Sequence, residues 1–453
     1  MVFTSSTTSV GLLWGMDLNF QPLVTARPTV DKKSPAFTSD TLPIIGSWSY
    51  FTQQKKFWKD SVAKSKNGHF SFWIGKNHIV GISGEAARKM HLDSHDLDPI
   101  GGIMLIGHGP DEIDGKSSVI PPIWTTTMAN SRLFAHRRIL DLQKSEQLTK
   151  RLSRVTKDSR DAFEEMATDL SGVMNPNKAC FRIVVKQYSR VVGTDEISDD
   201  PKILETFLYY MNILQTTSSV HLLAFPSLSY FSVAYWRRRY GRWGFSKIVT
   251  PIVNKRMMKG AFRVDDALQI FIHNGDSKNY IIDFLITMLF IAGANAGVVS
   301  GAMLNIIAHP PDWQEKIYCE IKATAAAHSM NKDASLVDHL DSMPLSAWES
   351  LSRSLDLCLK ETLPSPSDVH YNEKLYPDPV RWDPERFYEG REEFTKIMDQ
   401  NINIAYPLAM YKWSGCDENG QPNPDFGHKP TVKRGGPTLP MGHYCKYVPR
   451  KES

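Results

Sequence analysis

The chain is 453 residues long, 42% of them hydrophobic, and its 53 basic and 49 acidic side chains leave a net charge of +4. A chain of this length can bury a large core, and a charge this balanced argues against a nucleic-acid-binding protein. The five cysteines are scattered, odd in number and without a CxxC pair, which argues against a disulfide scaffold and a structural zinc site.

Residues 1–44 are rich in Ser, Thr, Pro and Val and are predicted to form a loose N-terminal lead-in. Their one apolar stretch, Val10–Met16, is much shorter than the about 20 residues that span a bilayer. No basic segment precedes it, as one would in a signal peptide. The sequence therefore shows no clear membrane anchor, and residues 45–453 are predicted to form the folded domain.

The first regular element of that domain is predicted to be a β-hairpin. Residues 69–75 and 78–83 are apolar or alternating, and Gly75-Lys76-Asn77 supplies the turn between them. Residues 84–92 then favour a helix. A long amphipathic helical tract is predicted from Leu133 to about Met166.

Arginine and aromatic residues alternate in Trp236–Trp243, within the aromatic-rich segment 201–245. A packed helix end with a solvated face explains this pattern, and so does contact with a membrane surface, where Trp and Tyr lie at the interface. Stacking on RNA is a weaker alternative, because no RNA-binding motif accompanies the patch. No nucleic-acid partner is expected.

Ile281–Ala308 contains a single charged residue, Asp283, so its length and hydropathy would also allow a transmembrane helix. The small residues of Ala292–Gly297 favour a buried central helix instead. This helix must end before Pro310. The following Asp312 is predicted to cap the next helix, with the acid three residues later completing a capping box.

Tyr376–Phe387 reads YPDPVRWDPERF. In order with the apolar run 281–308 and the helix that ends at Leu363, it resembles the C-terminal half of a cytochrome P-450 of the microsomal type found in filamentous fungi. The resemblance covers most of residues 45–390. It implies a mostly α-helical fold with a small β component and a long central helix, here incomplete.

The resemblance also implies contacts with a heme. Arg138 holds the position of an arginine that bonds a heme propionate, to which a guanidinium is well suited. Several basic residues around Arg138 leave a solvated helix face as the alternative. Ala292 and Gly293 would allow the backbone of the central helix to approach the heme and make room for dioxygen.

Two residues of the central helix depart from the family pattern. Asn295 and Ala296 stand where the family has an acid and a threonine that relay protons to the iron-bound oxygen. Asn cannot donate and recover a proton as a carboxylic acid does, and Ala has no hydroxyl. Water, the substrate or Ser300 would have to supply the proton.

The helix Leu355–Leu363 resembles the ExxR helix of the family, but Pro364 replaces its arginine. Glu361 would keep only Arg386 as partner in a network that normally has two cations. The interval between Glu361 and Arg386 is also short for the strands that the family places there. A skipped exon or a wrongly predicted intron would produce such a gap.

The iron ligand of the family is a cysteine in a loop of the form FxxGxxxC, which no cysteine of this chain matches. Cys445 is the preferred candidate and Cys416 the second. His443 is a further possible ligand. For both cysteines, an ordinary loop thiol is the alternative.

The function implied by the resemblance is heme-dependent monooxygenation of a small lipophilic substrate in fungal secondary metabolism. Electrons would come from NADPH through a flavoprotein reductase, and the family rule places the enzyme at the surface of the endoplasmic reticulum membrane. The rival hypothesis is a non-catalytic, truncated relic that binds heme weakly or not at all. A third, an integral membrane binding protein, depends only on residues 281–308.

Overall fold

The structure is a computed structural model that describes residues 27–75, 77–94, 138–214, 233–258, 265–362, 383–387, 398–422 and 444–450. Within these ranges most residues are helical. Two small sheets complete the architecture, which confirms the predicted fold class. The contacts divide the chain into two units, Met1–Ala135 with Tyr210–Phe245 and His136–Tyr209 with Ser246–Ser453. The predicted boundary at residue 45 stays a prediction.

The first unit contains a four-stranded antiparallel sheet in the order β1-β2-β3-β4. Its elements are β1 (Thr41–Leu42), β2 (Gly46–Ser47), α1 (Trp48–Thr52), α2 (Gln54–Lys64), β3 (Phe70–Ile74), β4 (Asn77–Gly81) and α3 (Glu85–Asp93).

The predicted hairpin is confirmed by the pairing of β3 with β4. Gly75 lies in its turn at φ 58°, a left-handed conformation that favours glycine. All five residues of β3 are buried, because the strand packs against the aromatic rings of α1 and α2. Edge-to-face pairs such as Phe57 with Phe72, 5.2 Å between centroids, form this small core.

The remaining helices are α4 (Ser145–Glu165), α5 (Pro176–Val192), α6 (Asp195–Asp199), α7 (Pro201–Leu214), α8 (Val233–Met257), α9 (Ala267–His273), α10 (Lys278–Ile307), α11 (Pro311–His328), α12 (Leu336–Asp341), α13 (Leu345–Glu349), α14 (Arg353–Thr362) and α15 (Met398–Met410). A three-stranded sheet in the order β5-β7-β6 belongs to the second unit. Its strands are β5 (Val173–Met174), β6 (Tyr411–Cys416) and β7 (Tyr444–Pro449).

The central helix α10 is buried within the second unit, as predicted for residues 281–308. Ile281, Phe284, Leu304 and Ile307 have no exposed surface. Among the described residues, no helix has both the length and the hydropathy needed to cross a membrane.

Helix α10 packs most closely on α5, through two glycines one turn apart. A methyl group on Gly297 would lie 2.9 Å from the Cα atom of Phe181, and one on Gly301 would lie 2.7 Å from the Cα atom of Asn177. These distances leave no room for a side chain. From the sequence, small residues of this helix were expected only at the heme face. The spacing of four residues between Gly297 and Gly301 is the sequence signal for the contact with α5.

Two local expectations were wrong. The helical tract predicted from Leu133 to Met166 is interrupted at residues 143–144, where α4 begins anew. Asp312 does not cap α11, because Pro310 is the N-cap residue and Pro311 fills the first helical position. Proline suits this position, since its missing N–H would have no partner there anyway.

The close contact between α10 and α5 leads to a first prediction. Gly301→Val should lower the free energy of unfolding by about 1–3 kcal/mol, the usual cost of overpacking, because the backbone of α5 must move away. Urea denaturation measures this loss. Asn279→Ala, in the exposed first turn of the same helix, is the control and should change stability little. Equal stability of the two variants would contradict the close packing.

Candidate functional site

The residues expected to face dioxygen lie on the middle of α10. The helix includes Ala292, Gly293 and Asn295, whose surroundings lie outside the described part of the structure. Ala296 and Ser300 are buried, and the Ser300 hydroxyl donates a hydrogen bond to the Ala296 carbonyl at 3.0 Å. The proton-delivery role of Asn295, Ala296 and Ser300 stays a prediction.

Arg138 is buried, with 3% of its side chain exposed, and binds two carboxylates of the protein. Its Nε and Nη2 atoms donate to the two oxygens of Asp276, each at 2.7 Å, and Nη1 donates to Asp141 at 3.0 Å. The hydrogen bonds that Asp276 accepts from Arg138 raise the pKa of Arg138. The guanidinium fork predicted to bond a propionate is therefore occupied by Asp276, which precedes the N-cap residue of α10.

Glu361 is buried at the end of α14, where its Oε1 atom accepts the backbone N–H of Asp383 at 3.2 Å. The next residues, Pro384–Phe387, form a 3-10 turn that contains Arg386. The structure thus brings Glu361 to the segment of its predicted partner. The side chain of Arg386 and residues 363–382, including Pro364, lie outside the described residues, so the ion pair itself stays a prediction.

A second acid on α14 has an unusual protonation equilibrium. Burial raises the pKa of Asp356 to about 6, against the weaker opposing effect of Lys360 one turn away, while the nearby Glu320 raises it further. Sequence reasoning did not identify this residue, because nothing in its spacing indicates how deeply it lies.

Cys445, the preferred iron ligand, lies in β7, the central strand of the β5-β7-β6 sheet. It pairs with Met174 on one side and with Gly415 on the other. Its side chain has no exposed surface and belongs to the main hydrophobic core. The alternation of buried Cys445 and Tyr447 with exposed Lys446 and Val448 is the sequence signal for this strand.

The thiol of Cys445 donates a hydrogen bond to the Asn305 side-chain oxygen at 3.4 Å. Burial raises the pKa of this thiol, whereas a metal ligand must be a thiolate. Cys416, at the end of β6, is also buried, and burial followed by the charge of Asp417 raises its pKa. The two cysteines predicted as ligands thus lie in paired strands rather than in a ligand loop, and His443 lies outside the described residues, so the iron ligand stays a prediction.

No group of three or more His, Cys, Asp or Glu side chains suited to a metal occurs within the described ranges. The fold and these positions can now be compared with known proteins. The family model for cytochrome P450 matches residues 35–351, which is more than half of the chain. The chain belongs to the cytochrome P450 family.

Its curated relatives are fungal cytochrome P450 monooxygenases. The monooxygenase AacuE of Aspergillus aculeatus is 49% identical, with 94% of this chain and 95% of the relative covered. One from Pseudocercospora fijiensis is 44% identical, with 96% and 100% covered. The solved structure of retinoic acid-bound cyanobacterial CYP120A1 matches with a TM-score of 0.62 at 14% identity, covering 94% of this chain and 100% of that one.

Membership in the cytochrome P450 family implies an oxidoreductase that uses heme iron, and the fungal relatives fit secondary metabolism. P450 monooxygenases in general act on a small substrate and receive electrons from a redox partner.

The family match and the relatives also show how much of this chain is aligned. The family model ends at Leu351, before α14 and the segment of Arg386. The alignment with the Aspergillus aculeatus relative has 485 positions, more than the 453 residues of this chain. That relative therefore has residues that lie opposite gaps in this sequence. A missing block after Leu363 stays a prediction.

The ion pairs of Arg138 with Asp276 and Asp141 give a prediction that can be tested on the heme-free chain. Arg138→Ala should destabilise the heme-free chain by about 2–3 kcal/mol, less than the about 3–5 kcal/mol of a fully buried pair, because Asp276 and Asp141 are partly exposed. Denaturation in guanidinium chloride measures the loss. Lys144→Ala, which removes an exposed partner of Asp141, is the control and should have little effect. If Arg138→Ala left the free energy of unfolding of the heme-free chain unchanged, the result would favour the predicted contact of Arg138 with a heme propionate.

The raised pKa of Asp356 predicts a pH dependence of stability. The folded state holds this proton more tightly than the unfolded state, so stability falls as the pH rises from about 3.8 to about 6, and the full penalty is present above that range. The penalty is absent below the unfolded pKa near 3.8. Asp356→Asn should therefore raise the melting temperature at about pH 8 and leave it unchanged at about pH 4. The exposed Asp333→Asn is the control, and a gain independent of pH would contradict the cause.

Proposed function

We propose that this P450 serves the oxidation of a small lipophilic substrate in fungal secondary metabolism, with heme as cofactor. The observation that carries the proposal is the 49% identity to a fungal P450 monooxygenase over nearly the whole of both chains. Heme, when bound, would supply the activation of dioxygen. The protein would supply the pocket that selects and orients the substrate.

The proposed electron source is NADPH, through a flavoprotein reductase. This partner follows from the resemblance of the sequence to the microsomal type rather than from a surface of this chain. The N-terminal part of α8 supports a further proposal, contact with a membrane surface. Trp236, Tyr240 and Trp243 lie at positions i, i+4 and i+7 of one helix face, and each is 45–49% exposed.

Aromatic residues beside arginines suit the interface between lipid headgroups and acyl chains. Tyr240 and Trp243 stack with 5.6 Å between their centroids, and Arg237 is exposed on the same helix. These residues support contact with a membrane surface, and the family rule would make this the membrane of the endoplasmic reticulum.

The described cysteines lie in helices and strands, so this proposal assigns the ligand to a loop of the family's FxxGxxxC form, which neither Cys416 nor Cys445 matches. The alternative is a non-catalytic product that binds heme weakly or not at all. Heme binding by a chain to which the missing sequence has been added distinguishes the proposed function from this alternative.

The test compares three proteins: the chain as it stands, Pro364→Arg, and a restored chain that takes from the Aspergillus aculeatus relative both the segment missing after Leu363 and a ligand loop of the FxxGxxxC form. We expect the restored chain to gain soluble yield, heme content and a thiolate-type carbon monoxide difference spectrum. Pro364→Arg alone should not, because one cation cannot replace missing strands. Strong heme incorporation by Pro364→Arg would contradict the missing-segment argument, and a restored chain without heme would favour the non-catalytic alternative.

A further inference from the structure

We infer that none of the five cysteines of this chain ligates heme iron, and that Cys445 instead ties strand β7 to helix α10 as a hydrogen-bond donor. The inference relies on the proposed function only for the identity of the cofactor. It concerns the chain as it stands, whatever sequence its relatives add.

All five cysteines lie in regular secondary structure. Cys180, Cys319 and Cys358 are in helices, and Cys416 and Cys445 are in strands. The backbone N–H groups in the interior of a helix or in a central strand already donate the hydrogen bonds that hold that helix or sheet together. They are not available to stabilise a thiolate, as the amides of a ligand loop would be.

Four of the five thiols are also buried in the protein core. Cys180, Cys358 and Cys445 have no exposed surface, and Cys416 has 3%. Burial is the main reason that the pKa of each is raised, to about 12 for Cys180. Cys180, Cys358 and Cys445 are packed among the side chains of the main hydrophobic core, which leaves no space beside their thiols for a porphyrin. Cys319 is exposed on α11, where it faces solvent rather than a pocket that could exclude water.

Cys445 has a partner that explains its burial without a metal. Its Sγ atom donates to the Asn305 Oδ1 atom, and the Asn305 Nδ2 atom donates to the Gly301 carbonyl at 3.1 Å. Asn305 is itself 1% exposed. The thiol therefore satisfies an acceptor that would otherwise be buried unpaired at the contact between α10 and the sheet.

The space beside Cys445 is filled by the same contact. Gly415, its neighbour in β6, lies under the ring of His309, and a methyl group on Gly415 would lie 1.8 Å from the His309 Nε2 atom. The His309 Nδ1 atom bonds the Asn305 carbonyl at 2.8 Å. The end of α10 is thus seated on β6 and β7 through Asn305 and His309, with Cys445 on the core face.

Spectroscopy of the full chain tests the inference directly. The chain reconstituted with hemin, reduced and exposed to carbon monoxide should show no thiolate-type Soret band, and its electron paramagnetic resonance spectrum should lack low-spin thiolate ligation. Failure to take up heme is equally expected. A thiolate-type band in the unmodified chain would overturn the inference even if no cysteine variant folds.

Thiol chemistry and stability provide readouts that need no heme. One thiol should react rapidly with Ellman's reagent in the native chain, and Cys319→Ser should remove it. Cys445→Ala and Asn305→Ala should each lower the melting temperature, and the double variant should lose less than the sum of the two. Additive losses, or rapid native reaction of Cys445, would contradict the hydrogen bond.

The restored chain separates this inference from the proposed function. Cys445→Ser in that background should keep the thiolate band, because the ligand lies in the supplied FxxGxxxC loop and Cys445 is engaged by Asn305. Loss of the band in Cys445→Ser, but not in Cys319→Ser, would overturn the inference. A restored chain with no band at all would count against the proposed function and leave the result on the unmodified chain unaffected.

Discussion

The close packing of α10 on α5 is the constraint on which the second unit depends. Gly297 and Gly301 allow the two backbones to approach so nearly that a single added methyl group would collide with α5. Dispersion contacts along such an interface are numerous because the atoms interdigitate. Once α10 is fixed against α5, the positions of Ala296, Ser300 and Asn305 follow from the helical repeat.

Ionic contacts secure the ends of this arrangement. Arg138 binds Asp276 just before α10 begins, and on the neighbouring face of α5 Arg190 binds Asp158 of α4. Buried pairs of this kind add less net stability than their geometry suggests, since desolvation offsets much of the attraction. They do make alternative packings costly, because any other arrangement leaves a buried charge without its partner.

The family match ends at Leu351, and before that point the central helix already departs from the cytochrome P450 pattern at Asn295 and Ala296. Up to that point, the helices keep the order and the central position that the family requires. Beyond it, Glu361 still meets the segment of Arg386 through the backbone of Asp383, so part of the local architecture survives. The thiol of Cys445, near the C-terminus, lies in the central strand of the three-stranded sheet, where it bonds Asn305 of the central helix.

The sequence by itself determined the fold class, the hairpin of β3 and β4, the buried central helix and the family, because hydrophobic period, turn glycines and short motifs are local properties. Only the tertiary structure decided which partner each side chain binds. Arg138 has the spacing of a propionate ligand, yet Asp276, far away in sequence, occupies its guanidinium. Cys445 lies near the expected end of the chain, yet strand pairing and Asn305 bury its thiol. Such long-range contacts depend on packing, and no local pattern of residues encodes them.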